Sequence, residues 1–538
     1  MKFEYKLLIT FFVMYAFFAQ SLSWGEYSKM DLFQAIVDGN TFSIDAYYNN
    51  TGDRSIAGGH YYSDKAPAVP FLSTGVYASW EAICGAIPGC AHGAGVMYAT
   101  NKVIDLGNSS TRTYDIVNPS QAFTGSLFLS IVFMSALPSA LTVLLVYKTS
   151  AYLLGNETHR KLLAAAYGLG TIAFAYGTTL FTHGLATFLV FLSFYIMFKM
   201  KNENPGNAKR QGSQYLPVVA AGISAGLAIM ADYPAGIVST LLFVYSMTFN
   251  DRKTAALFGA AMLLGAMPLA IYNTTILGSP FRFLYSFTDP AIRADAGTDM
   301  GFTSLPNPFI LYRHTFDIYR GLFVYSPVLL LSVAGLYWML KERRTEALLI
   351  IAAFAGMLVM FSMRGVDFFD FGASFGARNY LPVLPFMMLP LASYLKNSNF
   401  TVFKALFVAS VFISFIGLQN WEWAIGGTNS VYIAEPYRSE VSSLAPLVNP
   451  LKDHYFPLFL QSGPRARIVE NLLQGKDAFD VRHAFAGDNP YPFVTLMPLL
   501  AALVVIWHSD ISIRRMIDAV KKIPEIFFVP LVMSLLLI

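Results

Sequence analysis

Apolar and polar positions alternate along this chain in long blocks rather than residue by residue. Apolar runs of about 15–25 residues recur throughout, which is the pattern of membrane-crossing helices. We therefore predict an all-α polytopic membrane protein with about 11–13 transmembrane helices. The predicted spans cover residues 5–23, 122–146, 162–180, 182–198, 215–231, 234–249, 255–275, 323–340, 347–363, 381–395, 402–419 and 492–507, with a shorter run at 525–538.

Two apolar runs admit a second interpretation. The run at 5–23 also fits a cleaved signal peptide, because Ala-Gln-Ser-Leu-Ser follows it. It is longer than the usual h-region of about 7–15 residues, which favours a retained helix. The weaker stretch at 66–83 contains two prolines and Glu81, and we expect it to lie at the interface or to re-enter the membrane.

Basic residues set the predicted orientation. Composition agrees with a lipid environment, since 55% of the 538 residues are hydrophobic and 13% are charged. With the N-terminus inside, about 67 residues of short cytoplasmic segments hold about 20 of the 37 Lys and Arg residues. These segments include KMKNENPGNAKR, NDRK, KERRTE and RRMIDAVKK. The net charge of +4 averages two opposite faces, so it predicts no nucleic-acid partner.

The chain organisation follows from the long outer segments. We predict a transmembrane core over 1–420, whose first outer loop, 24–121, begins with a short amphipathic surface helix. We predict that an extracytoplasmic cap over 421–491 follows this core. The chain then continues over 492–538 as C-terminal helices with a basic cytoplasmic stretch. Cys84 and Cys90 flank a Pro-Gly turn in the first loop. A disulfide and a pair of buried thiols both fit them.

The first outer loop contains the densest cluster of polar chemistry. Acids, a histidine and a lysine at a membrane surface suit a site that deprotonates a hydroxyl and holds a phosphate. A solvated loop with ordinary salt bridges is the competing interpretation. The cluster lies in TGDRSIAGGHYYSDKAP and contains Asp53, Arg54, His60, Tyr61, Tyr62, Asp64 and Lys65.

Further candidates lie at the same predicted boundary. Glu26 follows the first span closely and would be held near the bilayer plane, although such a residue is often merely interfacial. Asp232, in MADYPAG, is either functional or a helix cap at a Pro turn. His183, in LFTHGLA, more often represents a satisfied buried histidine. Arg378 and Arg320 begin spans at this boundary and together suggest a grip on a phosphate, although such arginines also snorkel.

Several segments, in order, resemble polytopic glycosyltransferases of the GT-C superfamily, which includes protein O-mannosyltransferases and lipid A aminoarabinose transferases. The first loop resembles the family pattern Asn-Glu-x-Ser-Arg, Gly-Thr-x-x-Ile-Asp and Gly-x-Tyr-Tyr-Ser-Asp-Lys-Ala-Pro-Gly. Glu26, Asp45, Asp64 and Lys65 match its charged positions, and Lys29 replaces the usual Arg. The resemblance continues through GSPFRFLY, RGLFVYSPVLL and GASFGARNYLPVLPF, to about residue 400.

The resemblance implies transfer of a sugar from a polyprenyl-phosphate donor to a protein, lipid or glycan acceptor on the extracytoplasmic face of the cell membrane. It implies an inverting single displacement with Glu26 or Asp45 as general base. Lys65, Arg378 and Arg320 would hold the donor phosphate. Asp64 and His60 would orient Lys65 or bind a divalent ion, and the cofactor is left open.

Two other classes compete with the enzyme. A transporter or flippase of lipid-linked sugars predicts ionisable groups inside the spans and broken helices at matched positions of two halves. The predicted spans contain few charges, and no second half matches the first. A non-catalytic protein that binds polyprenyl lipid is the other alternative, although it has no need for so many outer acids paired with Arg and Lys.

Overall fold

The computed structural model describes residues 2–20, 24–87, 98–105, 111–118, 121–203, 215–290, 305–363, 374–419, 449–475 and 491–507. In these residues the chain is predominantly helical, as predicted. The helices are α1 Phe3–Phe17, α2 Trp24–Gly39, α3 Ala68–Ala86, α4 Gln121–Ile131, α5 Leu137–Ser150, α6 Glu157–Gly170, α7 Ala173–Tyr176, α8 Thr182–Glu203, α9 Tyr215–Ala231, α10 Ala235–Met247, α11 Arg252–Leu277, α12 Pro308–Thr315, α13 Leu322–Tyr325, α14 Leu330–Glu342, α15 Arg344–Ser362, α16 Leu384–Asn397, α17 Phe400–Gln419, α18 Phe456–Ser462, α19 Arg467–Leu473 and α20 Met497–Trp507.

Five helical segments among the described residues are long and apolar enough to cross a membrane. They are Phe123–Ser150, Thr182–Glu203, Arg252–Leu277, Arg344–Ser362 and Phe400–Gln419. The first joins α4 and α5 through a π-helical turn. Three shorter apolar helices, Tyr215–Ala231, Ala235–Met247 and Pro492–Trp507, coincide with other predicted spans.

Several predicted spans are interrupted rather than continuous. The run at 162–180 divides into α6 and α7 because Thr171 is extended. The run at 323–340 is broken before Pro327, where Ser326 leaves helical geometry. A proline disfavours helical backbone at the preceding residue and donates no hydrogen bond. Apolar composition alone therefore gives too many uninterrupted spans.

Close helix contacts depend on small residues. A Cβ on Gly226 would lie 2.1 Å from the carbonyl oxygen of Met262, and one on Gly265 would lie 2.4 Å from that of Ile223. Helices α9 and α11 therefore pack backbone to backbone, as small residues permit in membranes. At the N-terminus, the hydroxyl of Tyr15 donates to the carbonyl of Gly168, which ties α1 to α6.

Two antiparallel hairpins interrupt the helices in the first loop. Strands β1 Arg54–Ala57 and β2 His60–Ser63 pair across Gly58 and Gly59, whose φ angles are 58° and 84°. Two consecutive positive φ angles are the mark of a tight hairpin turn that glycine accepts readily. Strands β3 Tyr98–Asp105 and β4 Thr111–Asn118 form the second hairpin.

Other predictions on the first loop have mixed outcomes. The predicted surface helix is present as α2, but most of its residues are buried. The stretch at 66–83 is helical within α3. Cys84 is disulfide-bonded, while Cys90 lies outside the described residues. Of the predicted cap and C-terminal region, 421–448, 476–490 and 508–538 also lie outside them, so those two domain assignments remain predictions.

Candidate active site

The β1–β2 hairpin is fixed against a later loop of the chain. The hydroxyl of Ser55 donates to the carbonyl of Leu284 at 2.6 Å, and both residues are buried. Arg54 Nε lies 2.9 Å from Asp289 Oδ2, and its guanidinium lies 5.0 Å from the ring of Tyr48. The segment that follows the hairpin, including Lys65, therefore has a defined position.

Lys65, which follows β2, lies between two carboxylates. Its Nζ is 2.8 Å from Asp53 Oδ2 and 3.0 Å from Asp64 Oδ1. Asp64 is 1% exposed, whereas the Lys65 side chain retains 21% exposure. A buried carboxylate requires such a partner because desolvation is costly. The two acids hold the Lys65 ammonium in one place while leaving part of it accessible.

Helix α2 brings a third acid and a second lysine to the same place. Glu26 is fully buried, and its Oε1 accepts a hydrogen bond from the Leu180 N–H at 2.9 Å. Lys29, one turn later, is 2% exposed and lies 5.3 Å from the centre of the Phe181 ring. The segment preceding α8 thus receives both side chains.

The Lys29 ammonium reports how closely these charges converge. The pKa of Lys29 is lowered to about 7, because burial and the positive charges of Lys65 and Arg378 together outweigh the opposing negative charges of Glu26 and Asp53. Such influence requires that all four groups lie near Lys29. Glu26, Lys65 and Arg378, which were predicted from separate segments, therefore converge in space.

Arg378 reaches the same region from a distant segment of the chain. Its guanidinium lies 4.8 Å from the centre of the Phe181 ring, the ring that Lys29 also faces. Burial lowers the pKa of Arg378, and nearby Arg320 adds to that effect, whereas Asp53 opposes it. Arg320 is itself 3% exposed. The two arginines thus lie close together.

The turn before Arg378 depends on glycine. Gly376 has a φ of 67°, and a Cβ there would lie 3.0 Å from both Ile172 and Tyr325. The Arg378 N–H donates to the Gly376 carbonyl at 3.0 Å, and the Phe375 N–H donates to the hydroxyl of Tyr176. The turn is tightly enclosed, so the direction of Arg378 is set by the backbone.

We call this set of side chains the charged cluster. Among the residues that the structure describes, it contains four basic and three acidic side chains. Because buried cations from separate segments attract an anion, the arrangement suits a phosphate group, and an adjacent carboxylate can act as a base on a nearby hydroxyl. The members of the charged cluster are Glu26, Lys29, Asp53, Asp64, Lys65, Arg320 and Arg378.

His183 and Asp232 form a second feature beside the charged cluster. His183 Nδ1 lies 2.8 Å from Asp232 Oδ2, and both residues are buried. The His183 ring stacks at 6.2 Å on Phe181, so it shares that ring with Lys29 and Arg378. A carboxylate that holds one imidazole nitrogen orients the other, which suits either a structural link or proton transfer.

Asp45 and His60 lie apart from these contacts. His60 Nδ1 is 2.6 Å from Asp45 Oδ2, with side-chain exposures of 59% and 44%. Partial burial would raise the pKa of Asp45, but hydrogen bonds from His60, Tyr61 and Ser43 lower it. Tyr62 is half-buried, and burial together with the Asp45 charge raises its pKa. Asp45 is thus an exposed, weakly basic carboxylate.

The described residues contain no group of three or more His, Cys, Asp or Glu side chains placed to hold a metal ion. His60 contacts Asp45, and Asp64 contacts Lys65, so the pair named for a divalent ion is directed to other partners. Lys29, which sequence reasoning treated only as a departure from a family pattern, is the functional candidate that it missed.

Comparison with known proteins gives matches among solved structures. No protein-family model and no curated protein matches the chain. It is similar to ArnT from Cupriavidus metallidurans bound to undecaprenyl phosphate, with 10% identity and a TM-score of 0.45 over 95% of this chain and 71% of that one.

The chain is also similar to the archaeal oligosaccharyltransferase AglB from Archaeoglobus fulgidus in complex with an inhibitory peptide and a dolichol-phosphate. That match has 12% identity and a TM-score of 0.46 and covers 84% of this chain and 61% of that one. The chain therefore spans less than two thirds of AglB. At these identities and TM-scores the matches transfer neither a family nor residue roles to this chain.

Proposed function

We propose that this protein is an integral membrane glycosyltransferase that moves a sugar from a polyprenyl-phosphate donor to an acceptor hydroxyl on the extracytoplasmic face. The observation that carries the proposal is the convergence of Glu26, Lys65 and Arg378 around the buried Lys29. A site with several converging basic side chains and a buried carboxylate has the parts that displacement of a phosphate requires.

The phosphate would be held by Arg378, Arg320, Lys29 and Lys65. Asp53 and Asp64 position Lys65 through contacts of 2.8 and 3.0 Å. As the bond between the anomeric carbon and the phosphate oxygen breaks, negative charge grows on the departing polyprenyl phosphate. Fixed cations stabilise that charge more than the charge of the intact donor, so they lower the barrier.

Glu26 is the proposed general base. It would take the proton of the acceptor hydroxyl as that oxygen bonds to the anomeric carbon, and the shared electron pair leaves with the phosphate. This single displacement inverts the anomeric configuration. Glu26 is preferred over Asp45 because it lies within the charged cluster, whereas Asp45 is exposed and bound by His60.

Donor turnover by the purified full-length chain tests the proposal. The chain is incubated with a polyprenyl-phosphate sugar and an acceptor extract, and released polyprenyl phosphate is measured. Glu26→Gln and Lys65→Ala should each reduce release by at least about 10²-fold, as loss of an acid–base or charge-stabilising group does. Glu157→Gln, an exposed residue paired with Lys161, serves as the control.

Two outcomes would contradict the proposal. Release at the wild-type rate in both Glu26→Gln and Lys65→Ala would remove the charged cluster from the reaction. Movement of intact donor across a vesicle membrane without release of polyprenyl phosphate would instead assign the chain to transport.

A further inference from the structure

A cavity lies at the opposite end of the helices from the charged cluster. Its volume is about 690 Å³, and Lys201, Arg343, Arg344 and Lys396 contribute to its walls. Lys201 is 18 residues beyond His183 on α8, a rise of about 27 Å at 1.5 Å per residue. This end carries the KERRTE segment that predicts the cytoplasmic side.

The cavity has an excess of positive charge. Among the described residues that line it, four basic side chains face two carboxylates, those of Glu342 and Glu346. Lys201 Nζ lies 2.7 Å from Glu346 Oε1, and Lys396 Nζ lies 2.9 Å from Glu342 Oε2. Both carboxylates are thus already engaged by the lysines, and the excess resides on the two arginines.

Arg343 is held by neutral groups. It donates to Asn202 Oδ1 at 2.8 Å and to the carbonyl of Tyr152 at 3.1 Å, and its guanidinium lies 5.4 Å from the Phe198 ring. These contacts fix its position without neutralising it. Arg344 is exposed, and no carboxylate of the described residues lies within ion-pair distance of it. A fixed arginine beside an exposed and accessible one is suited to a phosphate.

We infer that this cavity binds the phosphate of an anionic phospholipid headgroup. Its volume falls within the range of about 300–1,000 Å³ that ligand sites occupy. Basic pockets between membrane helices on the cytoplasmic side bind such headgroups, because anionic lipids concentrate in that leaflet. A free phosphate has the same chemistry, but the position of the cavity at the ends of membrane-crossing helices favours the lipid. The inference does not depend on the proposed glycosyl transfer.

Lipid binding is tested on the full-length chain by native mass spectrometry and by titration in nanodiscs. Phosphatidylcholine nanodiscs with and without phosphatidylglycerol are compared, and inorganic phosphate is added in a separate arm. Arg343→Gln combined with Arg344→Gln should weaken phosphatidylglycerol binding at least about 10-fold, the scale of a lost charge-assisted bond. Lys161→Gln combined with Lys199→Gln removes two charges at the same end from residues outside the cavity and should leave binding unchanged.

The remaining outcomes are equally decisive. A different result is that millimolar inorganic phosphate displaces the lipid from the wild-type chain and fails to bind the arginine variant. That result would keep the anion site but overturn the lipid as its ligand, because the ligand would then be a soluble phosphate. If both double variants weaken binding equally, attraction is a general surface effect and the inference fails. If the arginine variant does not fold, Lys396→Gln, at an exposed position on the cavity wall, is measured in its place and should weaken phosphatidylglycerol binding. Unchanged binding in Lys396→Gln together with an unfolded arginine variant counts against the site.

Discussion

Lys29 and Arg378 face one aromatic ring, with their cationic groups 5.3 and 4.8 Å from the centre of Phe181. They are 349 positions apart in sequence, yet their positive charges repel each other, and the charge of Arg378 lowers the pKa of Lys29. Phe181 supplies a weakly attractive surface for both cations. An anion placed between them would relieve the repulsion, so the arrangement favours phosphate binding.

This relationship predicts a pH dependence for binding. With a pKa of about 7, Lys29 is charged below pH 7 and becomes neutral as pH rises through that value. Affinity for polyprenyl phosphate should therefore fall about 10-fold between pH 7 and pH 8.5, because one favourable charge is lost. Microscale thermophoresis with the detergent-solubilised chain measures the affinity at each pH.

Lys29→Arg provides the matched control for this pH dependence. An arginine remains protonated throughout the range, so the variant should bind with an almost flat profile. The phosphate itself titrates identically in both proteins, with a second pKa of about 6. Parallel profiles for wild type and Lys29→Arg would show that the titration belongs to another group.

A second prediction separates the two carboxylates that the sequence offered as general base. Asp45→Asn should retain activity within about 3-fold, because Asp45 is exposed and its contacts are with His60 and the hairpin backbone. Release of polyprenyl phosphate from the donor is again the measurement. A loss approaching 10²-fold, with Glu26→Gln nearly intact, would transfer the role of base to Asp45.

The sequence predicted the helical membrane class and every participant of the charged cluster except Lys29, because blocks of apolar residues and charged segments at their boundaries are visible locally. It did not predict which acids would be buried. Glu26 and Asp45 both matched the family pattern, yet α2 buries the first and the β1–β2 hairpin exposes the second. The Gly58–Gly59 pair signals that hairpin, but contacts such as Ser55 with Leu284 are set by tertiary packing alone.

The third prediction concerns the His183–Asp232 pair. Asp232→Ala leaves a buried imidazole without its partner, which should reduce the free energy of unfolding by about 1–3 kcal/mol. A thermal-unfolding assay in detergent measures this loss. Asp45→Ala, which breaks the exposed His60 pair, should cost about 0–1 kcal/mol. Equal losses in the two variants would mean that burial does not strengthen the His183–Asp232 link.

The same pair distinguishes structure from proton transfer. If His183 only links two helices, His183→Gln should lower stability while activity of the folded fraction stays within about 3-fold. If it transfers a proton, activity should fall by at least about 10²-fold, and its pH profile should change. We expect the structural outcome, since Glu26 already lies within the charged cluster and His183 adjoins that cluster through the ring of Phe181.

The final prediction tests how the backbone directs Arg378. Gly376→Ala places a Cβ about 3.0 Å from Ile172 and Tyr325 on a backbone with positive φ. The turn must shift, so polyprenyl-phosphate binding should weaken about 10-fold or more. Gly278→Ala is the matched control, because Gly278 has a φ of 69° but nothing within 4 Å of the added Cβ. It carries the same backbone strain without the contact. If both variants lose stability equally and neither loses phosphate affinity, the enclosure of Gly376 does not set the direction of Arg378.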